Sequence, residues 1–149
     1  MAGMEAFEPE DRTAHLLKLA SKATARALQD RLAEHDVSYG HWTFLRILWQ
    51  QDGLSVTELS QKAGVAKPAA VTAVRAMEQA GYVERRQREG NLKAVYIHLT
   101  EAGRALENRL VPLAVDVNDR ALKGMTQRQQ QALKSALARI IRNLGAGPG

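Results

Sequence analysis

The chain has 149 residues, of which 45% are apolar and 25% charged, and a formal net charge of +5; that composition fits one soluble globular domain with enough chain to bury a core. It has no Cys, which excludes disulfides, thiolate metal sites, thiol redox sensing and a Cys nucleophile. No apolar run reaches the ~18 residues a membrane span requires, and the acidic first ten residues lack the apolar core of a secretory signal, so no membrane partner and a cytoplasmic location are expected.

The first nine residues and residues 145–149 read as loose ends. Residues 11–35 predict a long helix, with Leu16, Ala20, Ala23, Ala27, Leu28 and Leu32 at helical spacing. Three of these are Ala, small enough to let another helix approach closely. Ser38 is an expected N-cap, and the helix after it carries Trp42, Leu45, Leu48 and Trp49 on one face. Asp52-Gly53 is a turn signal. Ser55-Val56-Thr57-Glu58 fits a capping box and predicts a short helix over residues 55–63, with Leu59 and Ala63 inward. After Gly64, a second helix is expected over residues 67–80, with Pro68 in its first turn, where the missing amide proton costs nothing. Its inward positions are Ala70, Val74 and Met77, and Gly81 stops it.

The period then changes. Residues 82–86 and 94–99 are rich in β-branched and aromatic side chains, and the turn-forming residues 87–91 lie between them, which predicts a β-hairpin. Thr100-Glu101 caps a long helix to about Gly124, with Leu106, Leu110, Leu113 and Val117 as its apolar line. Thr126-Gln127-Arg128-Gln129 is a second capping-box candidate, opening a helix with Leu133, Leu137, Ile140, Ile141 and Leu144. The predicted class is mostly α with a small β-hairpin wing. The terminal helices are amphipathic and have little to pack on within one subunit.

Two helices joined by a short Gly-containing turn form a helix-turn-helix, whose second helix fits the major groove of duplex DNA. A hairpin directly after it can reach an adjacent groove. The charge is placed accordingly: Lys67, Arg75, Arg85, Arg86, Arg88, Lys93 and Arg104 stand against Glu78, Glu84, Glu89 and Glu101. The expected DNA-binding residues are Lys67, Ala69, Val71, Thr72, Arg75, Arg86, Arg88, Asn91 and Lys93. Ala69 and Val71 suit thymine methyls, Thr72 suits a base hydrogen bond, and Arg75 a phosphate.

The run Thr57-Glu58-Leu59-Ser60-Gln61-Lys62-Ala63-Gly64-Val65 resembles the third helix and turn of MarR-type regulators. Val83-Glu84-Arg85-Arg86 and Val95-Tyr96-Ile97-His98-Leu99-Thr100-Glu101-Ala102-Gly103-Arg104 resemble their wing and the start of their fifth helix. Helix order and lengths match over residues 11–144. The resemblance implies a single domain, 1–149, with a winged helix-turn-helix at 55–99 and dimerisation helices at 11–35 and 104–144. It further implies a homodimer on a pseudo-palindromic operator: a DNA-binding transcriptional regulator, read as a repressor released by a small aromatic or phenolic effector. Two departures stand out. The family's wing tip usually carries Asp-x-Arg, and Asn91 and Lys93 occupy those positions, so the carboxylate–guanidinium brace is lost and Lys lacks the planar fork. The recognition helix has Ala66 where many relatives have a Ser or Thr cap, and Val71-Thr72 where they have Thr-Arg. Its groove side is poor in polar groups, which shifts the expected specificity toward DNA shape.

Tyr39, His41, Trp42 and Arg46 form a second cluster, suited to an aromatic anion in the family's effector region; the plainer alternative makes Trp42 core, His41 an exposed residue of the helix's first turn and Arg46 a surface charge. His15, His35, His41 and His98 show no ligand spacing and no nearby carboxylate pattern, so no metal is expected. No nucleophile elbow, phosphate-cradling Gly loop or acid/base pair is visible, so neither catalysis nor a cofactor is expected. The alternatives to a specific regulator are a winged-helix protein-interaction module and a non-specific DNA-binding protein.

Overall fold

The computed structural model describes residues 12–145, with only the backbone of Asn91 and Leu92. The stretches read as loose ends lie outside this range apart from Gly145. Helices α1 (Thr13–Ala33) and α2 (Tyr39–Gln50) are followed by a two-residue strand β1 (Leu54–Ser55), α3 (Val56–Ala63) and α4 (Lys67–Gln79). Strands β2 (Val83–Arg88) and β3 (Asn91–Leu99), then α5 (Glu101–Ala121) and α6 (Gln127–Asn143), complete the chain.

The three strands form one antiparallel sheet in the order β1-β3-β2. β1 is absent from the sequence reading, because two residues are too few to show alternation. Its pairs are Leu54 with Ile97 and Ser55 with Tyr96. The hairpin is also longer than its β-branched residues suggest, since Gln87 and Arg88 continue β2 and Asn91 begins β3. The tip is Glu89-Gly90, with Gly90 at φ 85°.

The core joins every element except α6. Leu32, Leu45, Leu48, Leu59, Val74, Met77, Ile97 and Leu110 are fully shielded from solvent, each stabilising the fold by roughly 1.5–3 kcal/mol. The expected apolar line of α5 is buried throughout, at Leu106, Leu110, Leu113 and Val117. In α1 only Leu28 and Leu32 are buried, and its N-terminal half leaves Leu16 and Leu19 exposed. α6 has no buried residue.

Candidate nucleic-acid interface

The expected capping box opens α3: the Glu58 amide donates to Ser55 Oγ at 3.1 Å, and the Ser55 amide to Glu58 Oε1 at 3.2 Å. Gly64, left-handed at φ 68°, closes the helix. The Val65 amide donates back to the Ser60 carbonyl at 3.0 Å, and α4 begins three residues after Gly64 with Pro68 in its first turn. Ala66 offers no side-chain cap, as its residue type requires.

The helical period of α4 separates two faces. Ala70, Val74 and Met77 are fully buried, while Lys67, Ala69, Thr72 and Arg75 are exposed. Val71 is half-buried, so it offers less surface to a thymine methyl than its sequence position suggests. Thr72 Oγ1 donates to the Pro68 carbonyl at 3.1 Å. With its proton held inside the helix, the hydroxyl presents acceptor lone pairs outward.

The wing cations divide into held and free. Arg85 pairs with Glu78 of α4 at 2.7 Å, and Arg86 pairs with Glu84, two residues back on the same strand face. Both pairs are exposed and contribute at most about 1 kcal/mol each. Arg88 lies over the Tyr96 ring, 3.7 Å from its centroid. Among the described residues no ion pair holds Lys67, Arg75 or Lys93. The side chain of Asn91 lies outside the described residues.

A junction missed from sequence sits at the root of the wing. Asp52 accepts the Leu99 amide at 2.8 Å and the Arg104 guanidinium at 2.8 Å. His98 Nδ1 is 3.7 Å from the same carboxylate, a neighbour distant in sequence. Asp52 thereby joins the α2–β1 turn to the end of β3 and the first turn of α5. Its turn-forming role was legible; partners 46 and more residues away leave no local pattern.

The second expected cluster divides. Trp42 and Arg46 line a groove of about 450 Å³ between α2 and α5, with Trp49, Glu107 and Val111. Tyr39 and His41 are not among its lining residues. Trp42 is buried and meets Trp49 edge-on at 5.6 Å, so it serves the core and the groove wall together. Arg46 is exposed. Burial holds the His41 imidazole below the usual histidine pKa.

With this geometry in hand, comparison with known proteins is direct. The profile of the MarR family matches residues 37–95. The chain is 30% identical over 130 residues to the HTH-type transcriptional regulator TtmR of Methylorubrum extorquens, covering 87% of this chain and 66% of that one. It is 34% identical over 96 residues to the HTH-type transcriptional repressor Rv2887 of Mycobacterium tuberculosis, covering 64% of this chain and 69% of the relative. The crystal structure of Rv2887 in complex with salicylic acid superposes with a TM-score of 0.70 at 28% identity, over 87% of this chain and 96% of that one. A MarR-family regulator from Listeria monocytogenes, solved with a 26mer DNA, shares the fold with a TM-score of 0.82 at 20% identity, over 90% and 89% of the two chains.

Proposed function

The chain belongs to the MarR family of DNA-binding transcriptional regulators, and on that premise we propose that it acts as a homodimeric, sequence-specific repressor of promoter DNA. The observation that carries this is the division of α4: one face is locked into the core, and the other presents Lys67, Ala69, Thr72 and Arg75 to solvent. In this reading Lys67, Arg75 and Lys93 meet phosphates, while Ala69, Thr72 and the exposed part of Val71 meet base edges. Asn91, at the start of β3, reaches DNA with the wing tip. Arg86 reaches it only by releasing Glu84.

The dimer reading is supported by what α6 leaves uncovered. An amphipathic helix of 17 residues has no buried residue within the subunit, with Leu137 and Ile140 only half-covered, and Leu144 is 81% exposed. Helices of this kind draw their stability from packing an apolar face. Leu16 and Leu19 of α1, Val115 of α5, and Leu133 and Ile141 of α6 extend the uncovered apolar surface. A second copy covering these helices, within 11–35 and 104–144, would present two winged units, each built on residues 55–99.

For the effector, the groove between α2 and α5 combines Trp42 and Trp49 edges with the Arg46 cation, a setting that suits the ring and carboxylate of an aromatic acid. Rv2887 has been solved with such an acid. Ligand binding that favours one spacing of the two winged units would release DNA by linkage.

Selection of bound fragments from genomic DNA tests the function. A pseudo-palindrome with half-sites one helical turn, about 34–36 Å, apart is expected. Recovery of fragments without a shared sequence would replace a specific repressor with a non-specific binder, and recovery of no DNA would favour a protein-interaction module.

A further inference from the structure

We infer that Arg88 is a positioning residue of the wing, clamping its outer strand across the sheet to the root, and not a phosphate contact. The inference rests on the DNA-binding role proposed for the wing and assigns one of its cations a different task. The argument begins with strand order. β2, which carries Arg88, is an outer strand, β3 is central, and β1 lies on the far side. The register shifts between Gln87 and Arg88, an irregularity of the kind that re-aims side chains. The Arg88 guanidinium lies over the ring of Tyr96 on β3, 3.7 Å from its centroid. Its terminal nitrogen donates to the carbonyl of Gly53, just before β1, at 3.2 Å. One side chain thus spans from the outer strand over the central strand to the opposite edge.

Both anchor points are themselves fixed. The Gly53 amide donates to the Ile97 carbonyl at 3.0 Å, and Gly53 takes φ 74° with no room for a Cβ beside the His98 ring. Tyr96 is paired on both sides, with Arg86 and Ser55. Beyond the clamp lie the Glu89-Gly90 tip and the first residues of β3, among them Lys93, whose side chain has no ion pair among the described residues. An arginine that lies over a ring and donates to a carbonyl has committed its charge and part of its fork. A lysine retains the charge but, as a point charge without the planar fork, cannot cover the ring and reach the carbonyl together. The clamp therefore restrains the outer end of the hairpin, which carries Lys93 on β3, and Lys93 makes the phosphate contact.

The test uses the full-length chain with Arg88→Gln, Arg88→Lys, Tyr96→Leu and Lys93→Gln. Duplex affinity is measured over a range of salt, and amide hydrogen exchange over residues 86–95 is measured without DNA. Lys93→Gln should reduce the log–log salt slope by about 0.9, the value of one lost phosphate contact, and leave exchange unchanged. Arg88→Gln and Tyr96→Leu should each weaken binding by about fivefold, keep the slope, and speed exchange at the tip. Their double variant should bind no more weakly than either single one, because both remove one contact. Arg88→Lys should resemble Arg88→Gln. A slope reduced by about 0.9 in Arg88→Gln, with exchange unchanged, would make Arg88 a phosphate contact and overturn the inference, as would full affinity in Tyr96→Leu. Failure of the unmodified protein to bind any duplex would instead remove the proposed function, and the exchange data would still decide whether the clamp holds the wing.

Discussion

Gly103, in the first turn of α5, lies so close beneath the carbonyl oxygen of Tyr82 that a Cβ in its place would stand 2.1 Å from it. That carbonyl also accepts the Thr100 amide at 3.0 Å, and the Gly103 carbonyl accepts the Trp49 indole N–H at 2.9 Å. One glycine therefore seats α5 against both the start of the wing and α2. Gly103→Ala should destabilise the fold by about 1–3 kcal/mol through overpacking, read as a lower urea midpoint. The Trp49 emission should move with it. An unchanged midpoint would mean that α5 shifts freely at this point.

Asp52 joins three segments through one carboxylate. Asp52→Ala leaves the Leu99 amide without its acceptor and should cost about 1–3 kcal/mol. Asp52→Asn keeps an oxygen for that amide and should cost less, because the Arg104 guanidinium it pairs with is largely exposed and pairs with an exposed partner contribute little, about 1 kcal/mol. Equal losses in the two variants, measured by chemical denaturation, would transfer the effect from the amide bond to the charge pair.

The pH dependence follows from His41. Burial lowers its pKa in the folded chain, whereas the unfolded chain titrates near the ordinary value of about 6.5. Above that value the imidazole is neutral in both states and costs nothing. As pH falls, the unfolded chain takes up the proton first, so stability declines from about pH 6.5 until the folded pKa is passed. His41→Gln should flatten the stability–pH curve in this window. A curve as steep as that of the unmodified chain would assign the decline to other groups.

Much of this architecture was legible in the sequence, and the reasons are physical. Capping boxes at Ser55 and Thr126 are local, so four consecutive residues announce them. The buried lines of α4 and α5 follow from the 3.6-residue period. The MarR likeness rests on residues 57–65, 83–86 and 95–104 together, and in the last of these Gly103 is required by the close approach of Tyr82. What escaped was non-local or very short. β1 has two residues and exists only by pairing with β3. Asp52 acts through partners far away in sequence, and Arg88 joins Tyr96 across the hairpin to Gly53, 35 residues back. Of the expected cluster, Trp42 and Arg46 line the α2–α5 groove and Tyr39 and His41 do not, because adjacency on one helix does not place side chains in one groove.

The uncovered apolar face of α6 predicts the assembly state. The unmodified chain should sediment as a dimer. Leu133→Lys combined with Ile141→Lys should yield a monomer with weakened α6 helicity, because each places a charge on the surface proposed to be covered. A dimer that survives both changes would move the interface elsewhere.

The central claim, that the exposed face of α4 reads a specific duplex, is tested most directly by fluorescence anisotropy. The purified protein is titrated into a selected operator duplex and into a scrambled duplex of equal length and composition. The account predicts a preference for the operator of about a thousandfold or more, reduced by Thr72→Ala, whereas Lys67→Gln should weaken binding to both duplexes alike. Equal affinity for the two duplexes at every salt concentration would contradict it.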